Sequence, residues 1–190
     1  MPKILVFAGS ARRDSVNKKL ARAAASAVDG AGGQSTLLDL ADFELPLYDG
    51  DVEAASGLPE AARRLQQAFR DHDGFCLACP EYNGSITPLL KNVIDWVSRP
   101  DGGEKGPSPY RGKTVLLVAA SPGGLGGLRG LVHVRAILGN LGCLVLPDQR
   151  AFGHSLFPSP GPCRGRHRTQ ERGQIQSRLS AWGGHAPMIA

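Results

Sequence analysis

Gly9-Ser10-Ala11-Arg12-Arg13-Asp14-Ser15-Val16-Asn17 follows the apolar run Ile4-Leu5-Val6-Phe7-Ala8 and precedes a helix-like stretch that starts near Val16. A buried strand that feeds a polar turn and then a helix N-terminus makes an anion site. Backbone N–H groups without intrahelical partners point into the turn, and the helix dipole favours negative charge there. Ser10 and Ser15 add hydroxyls, Asn17 an amide, and Arg12 a guanidinium fork that matches phosphate oxygens. The same residues also make an ordinary strand-to-helix turn with a Ser or Asp cap.

Outward from this stretch, strands and helices alternate. Lys3 to Ala8 reads as a strand covered on both faces. Leu20, Ala23, Ala24, Ala27 and Val28 recur at helical spacing and stop at Gly30 and Gly32-Gly33. Thr36 to Leu40 reads as a second strand, Phe43 to Gly57 as a loop, and Leu58 to Asp71 as an amphipathic helix. A third strand, Gly74 to Cys79, runs into Pro80-Glu81-Tyr82-Asn83-Gly84-Ser85, followed by a helix from Pro88 to Val97. A fourth strand, Thr114 to Ala120, runs into Ser121-Pro122-Gly123-Gly124-Leu125-Gly126-Gly127, followed by a helix from Leu128 to Leu141 and a fifth strand from Cys143 to Leu146. Such alternation of apolar strands with helices implies an α/β fold, a parallel sheet between two helical layers. Ligands bind such sheets beyond the carboxyl ends of the strands. The loops after strands one, three and four sit there together.

The 190 residues are read as one domain over 1–152 and a basic Gly/Pro/Arg-rich tail over 153–190. From Gly153 onward there are five Arg and one acid, Glu171, which is +4 of the net +5. The basic balance therefore belongs to the tail, and no nucleic-acid partner is expected. The tail composition is that of a reading-frame change or a divergent terminus. A last helix is weakly patterned over Thr169 to Trp182, and Phe157 to Arg168 is expected to pack poorly. No apolar run approaches the roughly 18–20 residues that span a bilayer, so no membrane partner is expected. The chain runs from Met1 straight into a strand, and its four cysteines form no disulfide framework, so a cytoplasmic setting is expected.

Several apparent motifs dissolve on inspection. Gly112-Lys113-Thr114 resembles the end of a P-loop, but Pro107 stands where its first Gly belongs, and Lys-Thr opens a strand. Counting from Gly124, Arg129 breaks G-x-G-x-x-G. Cys76 and Cys79 have redox spacing, yet positions three apart in a strand face opposite ways, which makes them core cysteines. His133 reads as a packed or partly exposed helix residue. Cys163, His167 and His185 lack a second ligand pair, so no metal is expected. Neither Ser85 nor Ser121 sits in a nucleophile elbow. By contrast, Pro80 to Ser85 offers a flat Tyr82 face, the Asn83 amide and a Gly84 backbone open to close approach, which suits a planar heteroaromatic ring. It also suits an ordinary Asn-Gly turn. Gly123-Gly124 reads as backbone giving way to a ligand or as a flexible turn.

Four motifs taken together resemble the NADPH-dependent FMN reductase family, flavodoxin-like proteins that include quinone, chromate and azo-dye reductases. They are Gly9-Ser10-x-Arg12-x-x-Ser15-x-Asn17-x-x-Leu20-Ala21, Pro80-Glu81-Tyr82-Asn83-Gly84-Ser85-Ile86, Leu90-Lys91-Asn92-x-Ile94-Asp95-Trp96, and Ser121-Pro122-Gly123 with Gly126-Gly127-x-Arg129. The resemblance implies a three-layer sandwich around a five-stranded parallel sheet of order 2-1-3-4-5. It implies FMN as cofactor, with Ser10, Arg12, Ser15 and Asn17 on its phosphate. Pro80, Glu81, Tyr82, Asn83 and Gly84 would lie against its ring, flanked by Ser121, Gly123 and Gly124. NADPH or NADH would reduce the flavin, which would pass electrons to a small acceptor such as a quinone, chromate or azo compound. No residue is expected to act as an acid–base catalyst. A homodimer or homotetramer is implied, with the helix of Lys91 to Trp96 at the contact. The tail lacks the family's acidic, helical ending. That leaves a non-enzymatic electron carrier, or a member that has lost turnover, as the other readings.

Overall fold

The computed structural model describes residues 1–101, 107 and 109–153. The expected helix at Thr169–Trp182 and the stretch Phe157–Arg168 lie outside the described residues. Strands β1 (Lys3–Ala8), β2 (Gln34–Leu38) and β3 (Gly74–Ala78) are followed by a short hairpin, β4 (Glu81–Tyr82) and β5 (Ser85–Ile86), then by β6 (Thr114–Ala120), β7 (Leu144–Val145) and β8 (Arg150–Phe152). Helices α1 (Val16–Gly30), α2 (Gly50–Ser56), α3 (Glu60–Arg70), α4 (Pro88–Val97) and α5 (Leu128–Asn140) intervene. The main sheet runs β2-β1-β3-β6-β7, all parallel, and β8 also pairs with β6. This is the expected order with the fifth position split in two. Pro147 lacks a ladder donor, and the chain breaks between Val145 and Arg150. The Arg135 guanidinium fills the break by donating to Val145 O, Leu146 O and Gln149 Oε1.

The alternating side chains of each strand serve two layers. Leu5, Phe7, Phe75, Leu77, Val115 and Leu117 face α3, α4 and α5. Val6, Ala8, Cys76, Ala78, Leu116 and Val118 face Leu20 and the small residues Ala21, Ala24 and Ala25 of α1. Cys76 and Cys79 fall into opposite layers, as their spacing implies. Burial pushes the Cys76 thiol up to about 12 and raises Cys79 as well, which keeps both inert. Helix α1 ends in a Schellman turn, with Gly32 at φ 86° and Gly33 N–H donating to Val28 O.

Two sequence expectations are corrected here. Strand β2 sits two residues earlier than the apolar run suggested, because it is a half-exposed edge with little burial to mark it. Its expected end forms a 3₁₀ turn over Leu40–Asp42, capped by the Asp39 carboxylate accepting from Ala41 N–H. The expected loop at Phe43–Gly57 contains α2, which buries no side chain and so leaves no apolar stripe to read. Asp49 caps it by accepting from Asp51 N–H, and Gly57 at φ 69° ends it.

Candidate functional site

The crossover from β1 passes through α1 on one face of the sheet, and the route to β3 passes through α3 on the other. The strand order therefore switches direction between β1 and β3, the place where a crevice opens at the carboxyl end of such sheets. Three loops leave this edge side by side. Ala8 pairs with Ala78 and Ala78 with Val118. Gly9 N–H donates to Ala78 O (2.9 Å), and Cys79 N–H to Val118 O (2.8 Å). Adjacent strands lie about 4.8 Å apart, so the three loop roots span roughly 10 Å. That is the width of one small ligand.

The first loop leaves its donors open. Gly9 is packed so closely that a Cβ would lie 3.0 Å from Leu90 Cβ and 3.3 Å from Pro80 Cδ. The Thr87 hydroxyl locks it further by donating to Gly9 O (2.8 Å). Ser10, 6% exposed, accepts from Arg12 N–H (3.3 Å). Ser15 stands at the N-cap of α1 with extended backbone, yet its hydroxyl caps nothing. The first turn of α1 holds no acid, and no hydrogen bond among the described residues takes up the N–H groups of Val16, Asn17 or Lys18. Arg12 is exposed beside them. A dianionic phosphate has the donors and the uncompensated dipole it needs here.

Asn17 departs from its expected role. Its amide Nδ2 donates to Ala120 O (2.9 Å), and its Oδ1 accepts from Ala120 N–H (2.9 Å). The side chain, 2% exposed, is spent on the end of β6, leaving only its backbone N–H for an anion. Nearby, Lys18 pairs with Asp39 (2.7 Å). Burial would raise the Asp39 carboxyl, but the Lys18 ammonium and the Ala41 N–H outweigh it and hold it low.

The second loop is the β4–β5 hairpin. Asn83 (φ 51°) and Gly84 (φ 77°) are consecutive left-handed residues, the signature of a type I′ turn. The hairpin follows the buried Pro80 and presents Tyr82, 46% exposed. Glu81 is spent on a brace. Its Oε1 accepts from Arg129 Nε (3.0 Å) and Nη2 (2.8 Å), and its Oε2 from Gly130 N–H (3.0 Å). It thereby caps α5, whose own N-cap, Gly127, has no side chain. Burial favours the protonated acid, but the Gly130 and Arg129 bonds prevail and hold the carboxyl below its ordinary range. Ser85 Oγ and His133 Nδ1 lie 2.8 Å apart on the exposed side of the hairpin.

The third loop is anchored by Ser121 N–H donating to Phe152 O (3.1 Å) and by Gly123 N–H donating to Ser121 Oγ (3.2 Å). At Gly124 a Cβ would meet nothing within 4 Å, and at Gly123 only Ser121 Oγ at 3.6 Å. Among the described residues, packing leaves that side open. The glycines that packing requires are Gly126, where a Cβ would lie 2.6 Å from the Phe152 backbone, and Gly127, 2.9 Å from Ala119 Cβ. Both have positive φ. Sequence reasoning met these two only as part of a motif. Their position directly before a helix, with no capping side chain, was the signal of an αL cap.

Among the described residues no group of His, Cys, Asp or Glu is placed to hold a metal ion, and no helix is long and apolar enough to cross a membrane. Comparison with known proteins identifies the family. The family model for NADPH-dependent FMN reductase matches residues 2–156. A quinone reductase of Escherichia coli (strain K12) is 37% identical over 152 residues, 80% of this chain and 77% of that protein. A 2-hydroxy-1,4-benzoquinone reductase of a Burkholderia species is 38% identical over 151 residues, 79% of this chain and 77% of that protein. The solved structure of FerB, an NAD(P)H:(acceptor) oxidoreductase flavoenzyme from Paracoccus denitrificans, superposes with a TM-score of 0.69 at 25% identity, covering 97% of this chain and 98% of that one. The chain belongs to the NADPH-dependent FMN reductase family and is an oxidoreductase.

Proposed function

We propose that this protein oxidises NADPH or NADH through bound FMN and delivers the electrons to a small acceptor of the quinone kind. The observation that carries the reading is the open first turn of α1, with Ser15 at the cap position but not capping. Ser10, Ser15, Arg12 and the N–H groups of Val16 to Lys18 hold the phosphate. Pro80, Tyr82, Asn83 and Gly84 form one wall for the ring. Ser121, Gly123 and Gly124 form the other, where glycines leave the backbone bare. Glu81 and Asn17 hold these walls in place through Arg129, Gly130 and Ala120. When bound, FMN supplies the hydride acceptor and the onward electron transfer. The protein positions both partners over one ring face and lets the oxidised nicotinamide leave before the acceptor enters.

The purified protein should show flavin absorption that bleaches on anaerobic addition of NADPH and returns on adding a quinone. A preparation that stays colourless after incubation with FMN would contradict the reading. Steady-state NADPH oxidation separates an enzyme from a carrier that lacks a nicotinamide site.

The protein acts as a homo-oligomer in the cytoplasm, assembled through α4 and the segment it holds. Leu47 is 81% exposed, yet its neighbours are clamped: Pro46 O accepts from Asn92 Nδ2 (2.9 Å) and Trp96 Nε1 (2.8 Å), and Tyr48 N–H donates to Asn92 Oδ1 (2.7 Å). A large apolar side chain held outward on a rigid mount suits a subunit contact. Sedimentation should show Leu47→Asp shifted toward monomer. An unchanged oligomer would remove Leu47 from the contact.

A further inference from the structure

Asn17 lies in the motif expected to hold phosphate, but its amide does something else. Both of its polar atoms are bonded to Ala120, at 2.9 Å each, and the side chain is buried. Ala120 ends β6, and the next residues are the third loop. Strand β3 lies between β1 and β6. The Asn17 amide therefore reaches over β3 and fastens the start of α1 to the root of the loop on the far side. We infer that Asn17 is a positioning residue that sets the distance between the phosphate end and the ring end of the flavin site. This rests on FMN being the ligand.

The physical reason is that a ligand with two anchored ends gains from both only if the two subsites keep the right separation. A single-ended ligand does not feel that separation. Asn17→Ala keeps the backbone N–H in the first turn of α1 and removes the bridge, taking away the side-chain partner of Ala120 N–H and O.

The test compares three probes on the wild-type protein and on Asn17→Ala: FMN and riboflavin by quenching of flavin fluorescence, and inorganic phosphate by its competition against FMN. The expected result is FMN weakened by about tenfold or more, with riboflavin and phosphate each within about twofold of wild type. Loss of FMN and phosphate affinity together would make Asn17 a phosphate ligand and overturn the inference. Parallel loss of all three, with a lowered melting temperature of the apoprotein, would make it a folding residue and also overturn it. Unchanged FMN affinity would do the same. Should Asn17→Ala fail to fold, Asn17→Ser keeps a hydroxyl near Ala120 and is read by the same three probes. Failure of the wild-type protein to quench FMN fluorescence would refute the FMN reading itself and is seen before any variant is made.

Discussion

The first loop and the two loops facing it treat their polar groups in opposite ways. At the start of α1 the N–H groups of Val16, Asn17 and Lys18 stand open among the described residues, and the cap residue Ser15 does not cap. In the hairpin and the third loop, Glu81 and Ser121 are consumed internally. Glu81 takes three hydrogen bonds from Arg129 and Gly130, and Ser121 is tied to Phe152 and Gly123. A charged phosphate needs donors that cost nothing to free, so its end of the site must stay unsatisfied within the protein. A flat ring needs a slot of fixed width, so its walls are braced before it arrives.

The sharpest way to break this contrast is to close the open loop. Ser15→Asp should cap α1 and leave the apoprotein as stable or slightly more so, since Asp caps well and favours the helix dipole. The same carboxylate would occupy the anion site, so FMN affinity should fall about 100-fold or more, near 2.7 kcal/mol. Fluorescence titration beside a thermal melt reads both. Next in size is a pair in the braced region. Gly126→Ala forces a Cβ against the Phe152 backbone at positive φ and should cost about 1–3 kcal/mol in urea unfolding. Gly124→Ala meets nothing and should change the apoprotein by less than about 0.5 kcal/mol. Arg12→Ala should weaken FMN retention by about tenfold, with no effect on the melt, because the side chain is exposed and one charge-assisted contact is lost.

The smallest effect concerns Glu81. Its folded-state acidity is strengthened, so its contribution is complete above the unfolded carboxyl value of about 4.3 and is lost as pH falls through the lower folded value. Glu81→Gln should therefore cost about 1 kcal/mol near neutral pH and nothing extra well below pH 4, the exposed Arg129 partner being screened by solvent. A wild-type and Glu81→Gln difference that does not shrink on acidification would remove the brace from the account.

The layers of the fold were readable because β1, β3 and β6 are buried on both faces and show as unbroken apolar runs. Elements that bury little were not. Helix α2 buries nothing, β2 is a half-exposed edge, and β8 buries only Phe152 fully. The three site loops were legible as positions, because loop chemistry after a buried strand is visible residue by residue. Their division of labour was not. Asn17 and Glu81 carry the groups a ligand would want, and only the geometry reveals that Ala120, Arg129 and Gly130 already hold them. Gly123 and Gly124 look like Gly126 and Gly127 in sequence, but only the latter pair is dictated by neighbouring atoms.

The central claim is that the open turn of α1 receives a phosphate while the braced loops receive a ring. Amide ¹H–¹⁵N shifts of Val16, Asn17 and Lys18, followed through separate titrations with FMN and with riboflavin, test it directly. The three amides should move strongly with FMN and stay nearly still with riboflavin, while Tyr82 and Gly124 move with both. Amides at Val16 to Lys18 that remain unmoved while FMN is bound would contradict it.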